Sequence, residues 1–242
     1  MRVAVCVSGA CRAKGSLTRN IERLKSKFRG ADFYYATWDS YQDAFRSAFL
    51  DEECRIFPEP RSHYHPYFDI DPEHHVSGWY RKTVEWVKSG GKDRREWTSH
   101  HVKQILIHAW LADAIKANYD VLVRTRFDAF VSRCANFGPY LEDTYSSGRA
   151  NCFGTTRPDG FDQVFEVDIA PGSLHSHWTL DHIIIHRADA IDRERIDALY
   201  RDKKLHAAEY GWHQVLGGNG HRNHSGWVNP DHAVLDKFLC GA

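Results

Sequence analysis

Residues 121 to 131 read VLVRTRFDAFV, and this stretch constrains the fold more than any other part of the chain. Apolar residues open and close it, which predicts a buried strand. Alternate side chains of a strand point to one face, so we expect Arg124, Arg126 and Asp128 to project together. Burying a charged side chain costs free energy unless the charge is paired or contacts a ligand. Because open α/β sheets bind ligands beyond the carboxyl ends of their strands, the stretch predicts a site for an anionic ligand and a metal ion.

The composition is that of a soluble globular protein. With 42% hydrophobic and 26% charged residues the chain can build a core, and its 242 residues predict one large domain or two small ones. Lysine plus arginine equals aspartate plus glutamate at 32 each, so no net charge draws the chain towards nucleic acid or an anionic membrane. We therefore expect no strong nucleic-acid binding, although a local basic patch is compatible with this balance.

The six cysteines contain no CxxC pair, which argues against a zinc ribbon and against a disulfide scaffold. A reducing compartment is the simpler interpretation, so we expect the cytoplasm, or the host cytoplasm for a viral chain. No apolar run reaches the roughly 18 residues that a membrane span requires. The short apolar run at residues 3 to 7 predicts a first strand instead of a signal peptide.

Strands and helices alternate in the first part of the chain. Apolar and aromatic runs predict strands at residues 3 to 7, 31 to 38 and 54 to 57, with helices between them. A βαβαβ opening of this kind predicts right-handed crossovers and a parallel sheet.

The turn at residues 8 to 16 nearly matches a phosphate-binding loop, whose pattern ends in glycine, lysine and then serine or threonine. Here Lys14 and Gly15 stand in the reverse order, which argues against a true phosphate-binding loop. The backbone N–H groups around Gly9 and the Arg12 guanidinium can still meet a phosphate.

The later elements follow from weaker patterns. The longest predicted helix, capped by Thr98 or Ser99, leads into the strand at residue 121. Asp181 lies near the start of a further buried strand. The remaining predicted elements are helices at residues 79 to 88, 139 to 145, 188 to 204 and 209 to 216, strands at residues 150 to 154 and 179 to 185, and a tail at residues 220 to 227. No linker or repeat interrupts the pattern, so we expect a single domain.

Together these pieces resemble a GT-A-type glycosyltransferase of the small kind found in bacterial and viral surface-glycan clusters. The resemblance implies an α/β fold, a Rossmann-like three-layer sandwich with a mostly parallel central sheet. It also implies a single domain over residues 1–242, with a nucleotide-sugar-binding half at 1–131 and an acceptor-binding half at 132–242. The residues that carry the resemblance are Val3 to Arg12, Ala36 to Asp39, Tyr119 to Asp128, Asp181 to Ile191 and the helix at Glu209.

In GT-A enzymes a DxD motif at the end of an inner strand holds Mn²⁺ or Mg²⁺, and the metal holds the sugar-nucleotide diphosphate. By this resemblance Asp128 matches the second aspartate, whereas Arg126 stands in place of the first. An arginine neutralises diphosphate directly, so the departure implies weaker metal dependence or none. Some GT-A enzymes use a late histidine as a further metal ligand, and His221 and His224 match it loosely. The residues implied to bind the nucleotide-sugar donor are Ser8, Gly9, Arg12, Asp39, Arg124 and Arg126.

Sugar transfer requires a stabilised leaving group, an oriented acceptor hydroxyl and, in inverting enzymes, a carboxylate base. Asp181 and Asp162 are the candidate catalytic bases, because each lies beside polar residues at the edge of a predicted element. The resemblance therefore implies an enzyme whose partners are a nucleotide-sugar and a glycan or other hydroxyl acceptor.

Two further classes of function stay open. A sulfotransferase or nucleotide kinase would use the loop at residues 8 to 16, which the reversed order of Lys14 and Gly15 opposes. A non-catalytic glycan- or nucleic-acid-binding module would need no base, and the neutral net charge opposes strong affinity for nucleic acid.

Overall fold

The computed structural model describes residues 1–11, 17–49, 52–60, 94–155, 164–169, 181–202, 204–205, 208–216 and 220–229. The described strands are β1 (Val3–Ser8), β2 (Asp32–Trp38), β3 (Cys54–Phe57), β4 (Val121–Thr125), β5 (Phe130–Val131), β6 (Ala150–Thr155), β7 (Phe165–Ile169), β8 (Ile183–Arg187) and β9 (His221–Asn229). The described helices are α1 (Leu17–Lys27), α2 (Gln42–Ala48), α3 (Arg94–Ile115), α4 (Gly138–Ser147), α5 (Arg193–Arg201) and α6 (Ala208–Leu216).

One sheet contains all of these strands, in the order β3-β2-β1-β4-β8-β6-β9-β5, with β7 also paired to β9. β1 lies between β2 and β4 and is parallel to both, and β3 extends the parallel set at the edge. β6 and β9 also run in this direction, whereas β5, β7 and β8 run against it. The expectation of a mostly parallel α/β sheet is confirmed.

Helices cover both faces of the sheet. Leu122 and Ile184 face the layer formed by α3, α5 and α6, and the neighbouring Val123 and Ile185 face the layer formed by α1, α2 and α4. Two consecutive residues of one buried strand thus reach two cores, which is why β4 and β8 are apolar without alternation. The three-layer sandwich is confirmed. None of the described helices is both long and apolar enough to cross a membrane.

Several predicted elements have different limits in the structure. The helix predicted at residues 188 to 204 is α5, which spans Arg193–Arg201, and the strand predicted at residues 179 to 185 is β8, which spans Ile183–Arg187. The helix predicted at residues 79 to 88 lies outside the described residues. The described part of α3 already begins at Arg94, so Thr98 and Ser99 lie inside the helix instead of capping it. Residues 94 to 97 contain no glycine or proline, and their helical preference extends the helix past the two cap-forming side chains.

The predicted tail at residues 220 to 227 is wrong, because these residues belong to strand β9. β9 pairs with β5, β6 and β7. Its sequence, HRNHSGWVN, lacks the apolar alternation of a half-buried strand. Pairing with strands on both sides stabilises an extended conformation that local preference does not specify.

Candidate functional site

β4 ends at Thr125 and does not continue to Val131 as expected. Arg126 to Ala129 form a turn, which the Ala129 N–H closes by donating to the Arg126 carbonyl oxygen at 3.2 Å. The turn buries Phe127, whose ring packs against Phe45 with centroids 5.9 Å apart. Burying such a ring stabilises the fold by about 2 kcal/mol, so the chain bends where an extended strand was predicted.

Arg126 and Asp128 form a bidentate ion pair at the mouth of this turn. Arg126 Nε donates to Asp128 Oδ1 at 2.8 Å, and Nη2 donates to Oδ2 at 2.6 Å. Burial raises the pKa of Asp128, but the charge and hydrogen bonds of Arg126, with a further contribution from His182, lower it below the usual value. Asp128 is therefore a carboxylate at neutral pH, with both oxygens engaged by one guanidinium.

Arg124 is the fourth residue of β4 and has no exposed surface. Its Nη2 donates to Gln104 Oε1 at 2.7 Å, and its guanidinium lies 5.1 Å from the ring centre of Trp212. Its Nη1 is 4.0 Å from Asp181 Oδ2. Burial lowers the pKa of Arg124 to about 10, against the charge of Asp181, so the side chain stays cationic at neutral pH. The structure therefore places a buried positive charge 4.0 Å from the Asp181 carboxylate.

Asp181 and His182 immediately precede β8. Because β8 is antiparallel to β4 and pairs Ile183 with Thr125, its start lies at the edge where β4 ends. Asp181 is buried, and His182 is half-buried with its backbone N–H donating to the Phe153 carbonyl oxygen at 3.1 Å. The structure therefore gathers Asp181, His182 and the Arg126–Asp128 pair at one edge.

His182 is a site residue that the sequence analysis missed. Burial lowers its pKa to about 4, with Arg126 acting in the same direction and Asp181 and Asp128 acting against it. Its imidazole is neutral at neutral pH, and its Nδ1 has no hydrogen-bond partner among the described residues. The signal available in the sequence was an Asp-His dipeptide directly before three isoleucines.

The end of β1 provides a fixed turn at the same edge. Gly9 has φ +128°, a conformation that other residues adopt only with strain. Thr37 Oγ1 donates to the Gly9 carbonyl oxygen at 2.8 Å, and the Gly9 N–H donates to the Ala36 carbonyl oxygen at 3.1 Å. Ser8 is fully buried beside this turn, and its hydroxyl finds no hydrogen-bond partner among the described residues. β2 therefore holds the Ser8–Gly9 turn in place.

Asp39 follows β2 and links the ends of two strands. Its Oδ1 accepts from the backbone N–H of Ser40 at 2.9 Å and of Glu59 at 3.1 Å. Glu59 also accepts from the Ser40 hydroxyl and from Lys103 Nζ, the latter at 2.9 Å. Asp39 itself is exposed, so this network presents a carboxylate at the edge that also carries Gly9.

The two histidines of β9 point to opposite faces of the sheet. His221 pairs with Ala150 and lies 5.3 Å from the ring of His213 on α6. His224 stacks on Phe153 at 4.5 Å, on the face covered by α4, and its Nε2 is 2.8 Å from Asn151 Oδ1. Both rings are fully buried. A strand places residues three apart on different faces, so His221 and His224 cannot serve one metal ion together.

The described residues do not by themselves form a metal site. Mn²⁺ and Mg²⁺ prefer carboxylate and other oxygen ligands. Within the described ranges, no group of three or more His, Cys, Asp or Glu side chains could hold a metal ion. Asp128 offers one carboxylate, and Arg126 engages both of its oxygens. The expected donor residue Arg12 and the expected base Asp162 lie outside the described residues.

The assembled edge combines groups with distinct chemical abilities. The Arg126 guanidinium can neutralise a phosphate or diphosphate, and the Asp181 carboxylate can accept a proton. The Ser8–Gly9 turn and Asp39 lie at the ends of the adjoining parallel strands. This arrangement can bind a phosphorylated ligand and carry out general base chemistry beside it.

The sequence of this chain matches no known protein family and no curated protein. Its fold is similar to that of two solved enzymes. Core-mannan synthase A of Aspergillus fumigatus, in a Mn/GDP form, is 9% identical, with a TM-score of 0.51 covering 90% of this chain and 70% of that one. The 4-diphosphocytidyl-2C-methyl-D-erythritol synthase of Anaerococcus prevotii is 8% identical, with a TM-score of 0.50 covering 99% of this chain and 96% of that one. At these identities the likeness defines the fold alone, and the chain has the Rossmann-like, three-layer fold of the GT-A type.

Proposed function

We propose that this chain is a glycosyltransferase that moves a sugar from a nucleotide-sugar donor to a hydroxyl of a glycan or other acceptor. The observation that carries the proposal is the group formed by Arg126, Asp128, Asp181 and His182 where β4 ends and β8 begins. Ligands of open α/β sheets bind at this edge, and a departing diphosphate needs a nearby cation. The GT-A-type fold supports the proposal.

In this proposal residues 1–131 bind the donor and residues 132–242 bind the acceptor. The Ser8–Gly9 turn, Arg12 and Asp39 hold the nucleotide, because backbone N–H groups and a guanidinium suit phosphates and a carboxylate suits ribose hydroxyls. Arg126 faces the diphosphate. Arg124 has no exposed surface and acts as a positioning residue, because its guanidinium places a positive charge next to the Asp181 carboxylate.

The transfer step proceeds by displacement at the anomeric carbon of the donor. The acceptor hydroxyl oxygen forms a bond to this carbon, and the bond from the carbon to the diphosphate oxygen breaks. The electron pair leaves with the diphosphate, whose negative charge Arg126 stabilises. The hydroxyl proton passes to a carboxylate, for which Asp181 is the described candidate and Asp162 the second candidate.

Mn²⁺ or Mg²⁺ remains part of the proposal only as a competitor of Arg126. Asp128 is the carboxylate on which such an ion would depend, and the ion would share its two oxygens with the Arg126 guanidinium, whose positive charge repels a cation. His221 and His224 would contribute at most one ligand between them, because they lie on opposite faces of the sheet.

A nucleotidyltransferase is the second candidate function. The likeness to the 4-diphosphocytidyl-2C-methyl-D-erythritol synthase covers almost the whole of both chains. A nucleotidyl transfer would use Arg126 on the nucleotide phosphates, release pyrophosphate and need no base for a sugar hydroxyl. In a nucleotidyl transfer the buried Asp181 carboxylate, which lies next to Arg124, would have no chemical role. Asp181 therefore favours the glycosyltransferase.

A thermal-shift and product assay separates the candidates. UDP-, GDP- and CDP-sugars, each with and without Mn²⁺, form one set of ligands. ATP and PAPS with Mg²⁺ form a second set, and CTP with a sugar phosphate forms a third. We expect stabilisation by one nucleotide-sugar and release of its nucleoside diphosphate. Stabilisation only by the second set supports a kinase or sulfotransferase, and pyrophosphate release from the third set supports the nucleotidyltransferase.

A further inference from the structure

A groove of about 660 Å³ opens at the amino-terminal edge of the parallel strands, opposite the candidate site. It lies where β1 and β2 begin, between the end of α1 and the start of α4. The side chains that give it its character are three cations and three hydrogen-bonding groups, namely Arg2, Lys27, Arg29, Asn118, Tyr119 and Asn136. Its volume is within the range of sites for small ligands and short oligomers.

Hydrogen bonds fix the main chain of Arg2 and the ammonium group of Lys27 in the groove. The Arg2 N–H donates to Asp120 Oδ2 at 2.6 Å, and the Arg2 carbonyl oxygen accepts from the N–H groups of Asp120 and Val121. Lys27 Nζ donates to the Arg133 carbonyl oxygen, which joins the end of α1 to the turn before α4. The guanidinium groups of Arg2 and Arg29 are left at the exposed rim.

The acid in the groove lining is already engaged. Asp32 Oδ2 accepts from the Tyr119 hydroxyl at 2.6 Å, and the Tyr34 and Tyr119 hydroxyl oxygens are 2.7 Å apart. This chain of hydrogen bonds draws the Asp32 carboxylate towards the phenols, which weakens its competition for the rim cations. The groove therefore presents an excess of positive charge.

A basic ridge, formed by Arg19, Arg23, Lys27 and Arg133, leads into the groove. Arg19, Arg23 and Lys27 are spaced four residues apart on α1, so they form one row with a cation about every 6 Å. The Arg23 guanidinium donates to the Val131 carbonyl oxygen at 3.2 Å and lies 4.5 Å from the ring centre of Phe130.

The neighbouring cations of the ridge act on the charge of Arg23. Burial lowers the pKa of Arg23, and the charges of Arg133 and Arg19 lower it further. A row of mutually repelling cations costs stability unless an anion is close by. Cations on an ordinary solvent-exposed helix face need not line up with a cavity. Here the basic ridge leads into the groove, because Lys27 belongs to both.

We propose that the basic ridge and the groove bind an anionic glycan, a sugar chain that carries carboxylate or sulfate groups. The row of cations matches a linear chain with repeated negative charges, and the guanidinium groups of Arg2 and Arg29 suit carboxylate and sulfate geometry. The amide groups of Asn118 and Asn136 suit sugar hydroxyls. Single-stranded nucleic acid fits less well, because its bases need a series of aromatic stacking platforms, and the Tyr119 ring of the groove already packs edge-to-face against Tyr34 with centroids 5.8 Å apart.

The proposal is independent of the transfer reaction and is tested by binding alone. The probe is a fluorescently labelled heparin hexasaccharide, measured by anisotropy at about 50 mM and 200 mM salt, where ionic binding differs strongly. Arg2→Ser/Arg29→Ser removes two groove cations that are exposed. Arg201→Ser/Lys204→Ser removes two exposed cations at the end of α5 and is the matched control. Unlabelled hexasaccharide, neutral maltohexaose and an oligothymidylate serve as competitors.

We expect the hexasaccharide to bind the wild-type protein, with an affinity that falls as salt rises. The groove double variant should bind about tenfold more weakly, because two exposed ion pairs with the hexasaccharide are lost, and the α5 double variant should bind as the wild type does. Equal losses in both double variants would overturn the proposal in favour of unspecific charge attraction. No binding to the wild type, or tighter competition by oligothymidylate than by unlabelled hexasaccharide, would overturn it as well.

Discussion

Arg126 holds both carboxylate oxygens of Asp128, at 2.8 and 2.6 Å, across a spacing of two residues. Among the described residues the same local pair occurs again, where Arg187 Nε and Nη2 donate to the two oxygens of Asp189 at 3.1 and 2.9 Å. The first pair is half-buried beside His182, whereas the second is exposed at the opposite edge of the sheet. Variants of the two pairs therefore distinguish the effect of the ion pair itself from the effect of its burial and of the neighbouring His182.

Asp128→Ala should abolish sugar transfer and the thermal stabilisation by the nucleotide-sugar, with a loss of activity of at least about 100-fold. Its carboxylate orients Arg126, and its charge acts on the same edge as Asp181 and His182. Asp189→Ala removes an equivalent pair and should leave both measurements unchanged. The unfolding free energy of Asp128→Ala should fall by no more than about 1 kcal/mol. Unchanged activity in Asp128→Ala would refute the site.

Arg126→Asp should convert the protein to strict dependence on a divalent metal. The substitution removes the cation that engages Asp128 and places two carboxylates at alternate positions, which suits Mn²⁺ or Mg²⁺. The wild-type protein should keep most of its activity in EDTA, because Arg126 supplies the positive charge. The measurement is nucleoside diphosphate release with EDTA and with added Mn²⁺, using Arg187→Asp as the control. Complete inhibition of the wild type by EDTA would show that Arg126 does not replace the metal.

Local patterns placed each of the first three strands to within one residue at either end. Their apolar and aromatic runs stand between clear turn and helix signals, which leave few alternatives. The same patterns did not fix the ends of β4 and β8, whose predicted limits were residues 121 to 131 and 179 to 185. β9 was predicted as a tail, since HRNHSGWVN carries no such run and becomes a strand only by pairing with its neighbours.

The candidate site was predictable in part, for the same reason. Asp128 and Asp181 lie in or beside apolar strands, so their position near a sheet edge follows from the sequence. The proximity of His182 to Asp128 does not follow from the sequence, because it depends on β8 running antiparallel to β4. The turn that pairs Arg126 with Asp128 depends on the burial of Phe127 against α2, which is equally non-local.

Arg124 and Asp181 should be energetically coupled. Their side chains are nearly or completely buried, with Nη1 4.0 Å from Oδ2. Removing one partner leaves the other charge buried with less compensation, so Arg124→Met should lower the unfolding free energy by about 3 kcal/mol. The double variant Arg124→Met/Asp181→Asn should be more stable than Arg124→Met, because both charges are gone. Urea unfolding of the four proteins gives the coupling energy, and additive effects would contradict the pairing.

The protein should lose stability as the pH falls below about 6.5, because of a buried pair of histidines. His108 Nε2 and His186 Nε2 are 2.9 Å apart, and His186 Nδ1 is 2.7 Å from the Arg187 carbonyl oxygen. The carbonyl fixes a proton on His186 Nδ1, so His186 Nε2 accepts from His108 and both rings are neutral. Burial lowers the pKa of His186 to about 4, and burial, His186 and Arg124 lower that of His108 well below its usual value.

The sign follows from proton linkage. Between about pH 6.5 and pH 4 the unfolded chain takes up protons on these histidines and the folded protein does not, so stability is complete above this window and falls within it. Each histidine contributes at most about 1.4 kcal/mol per pH unit. His108→Gln keeps a donor towards His186 and removes one titrating group, so its unfolding free energy should fall less steeply between pH 6.5 and 4.5 in urea titrations. A slope equal to that of the wild type would mean that the acid sensitivity has another source.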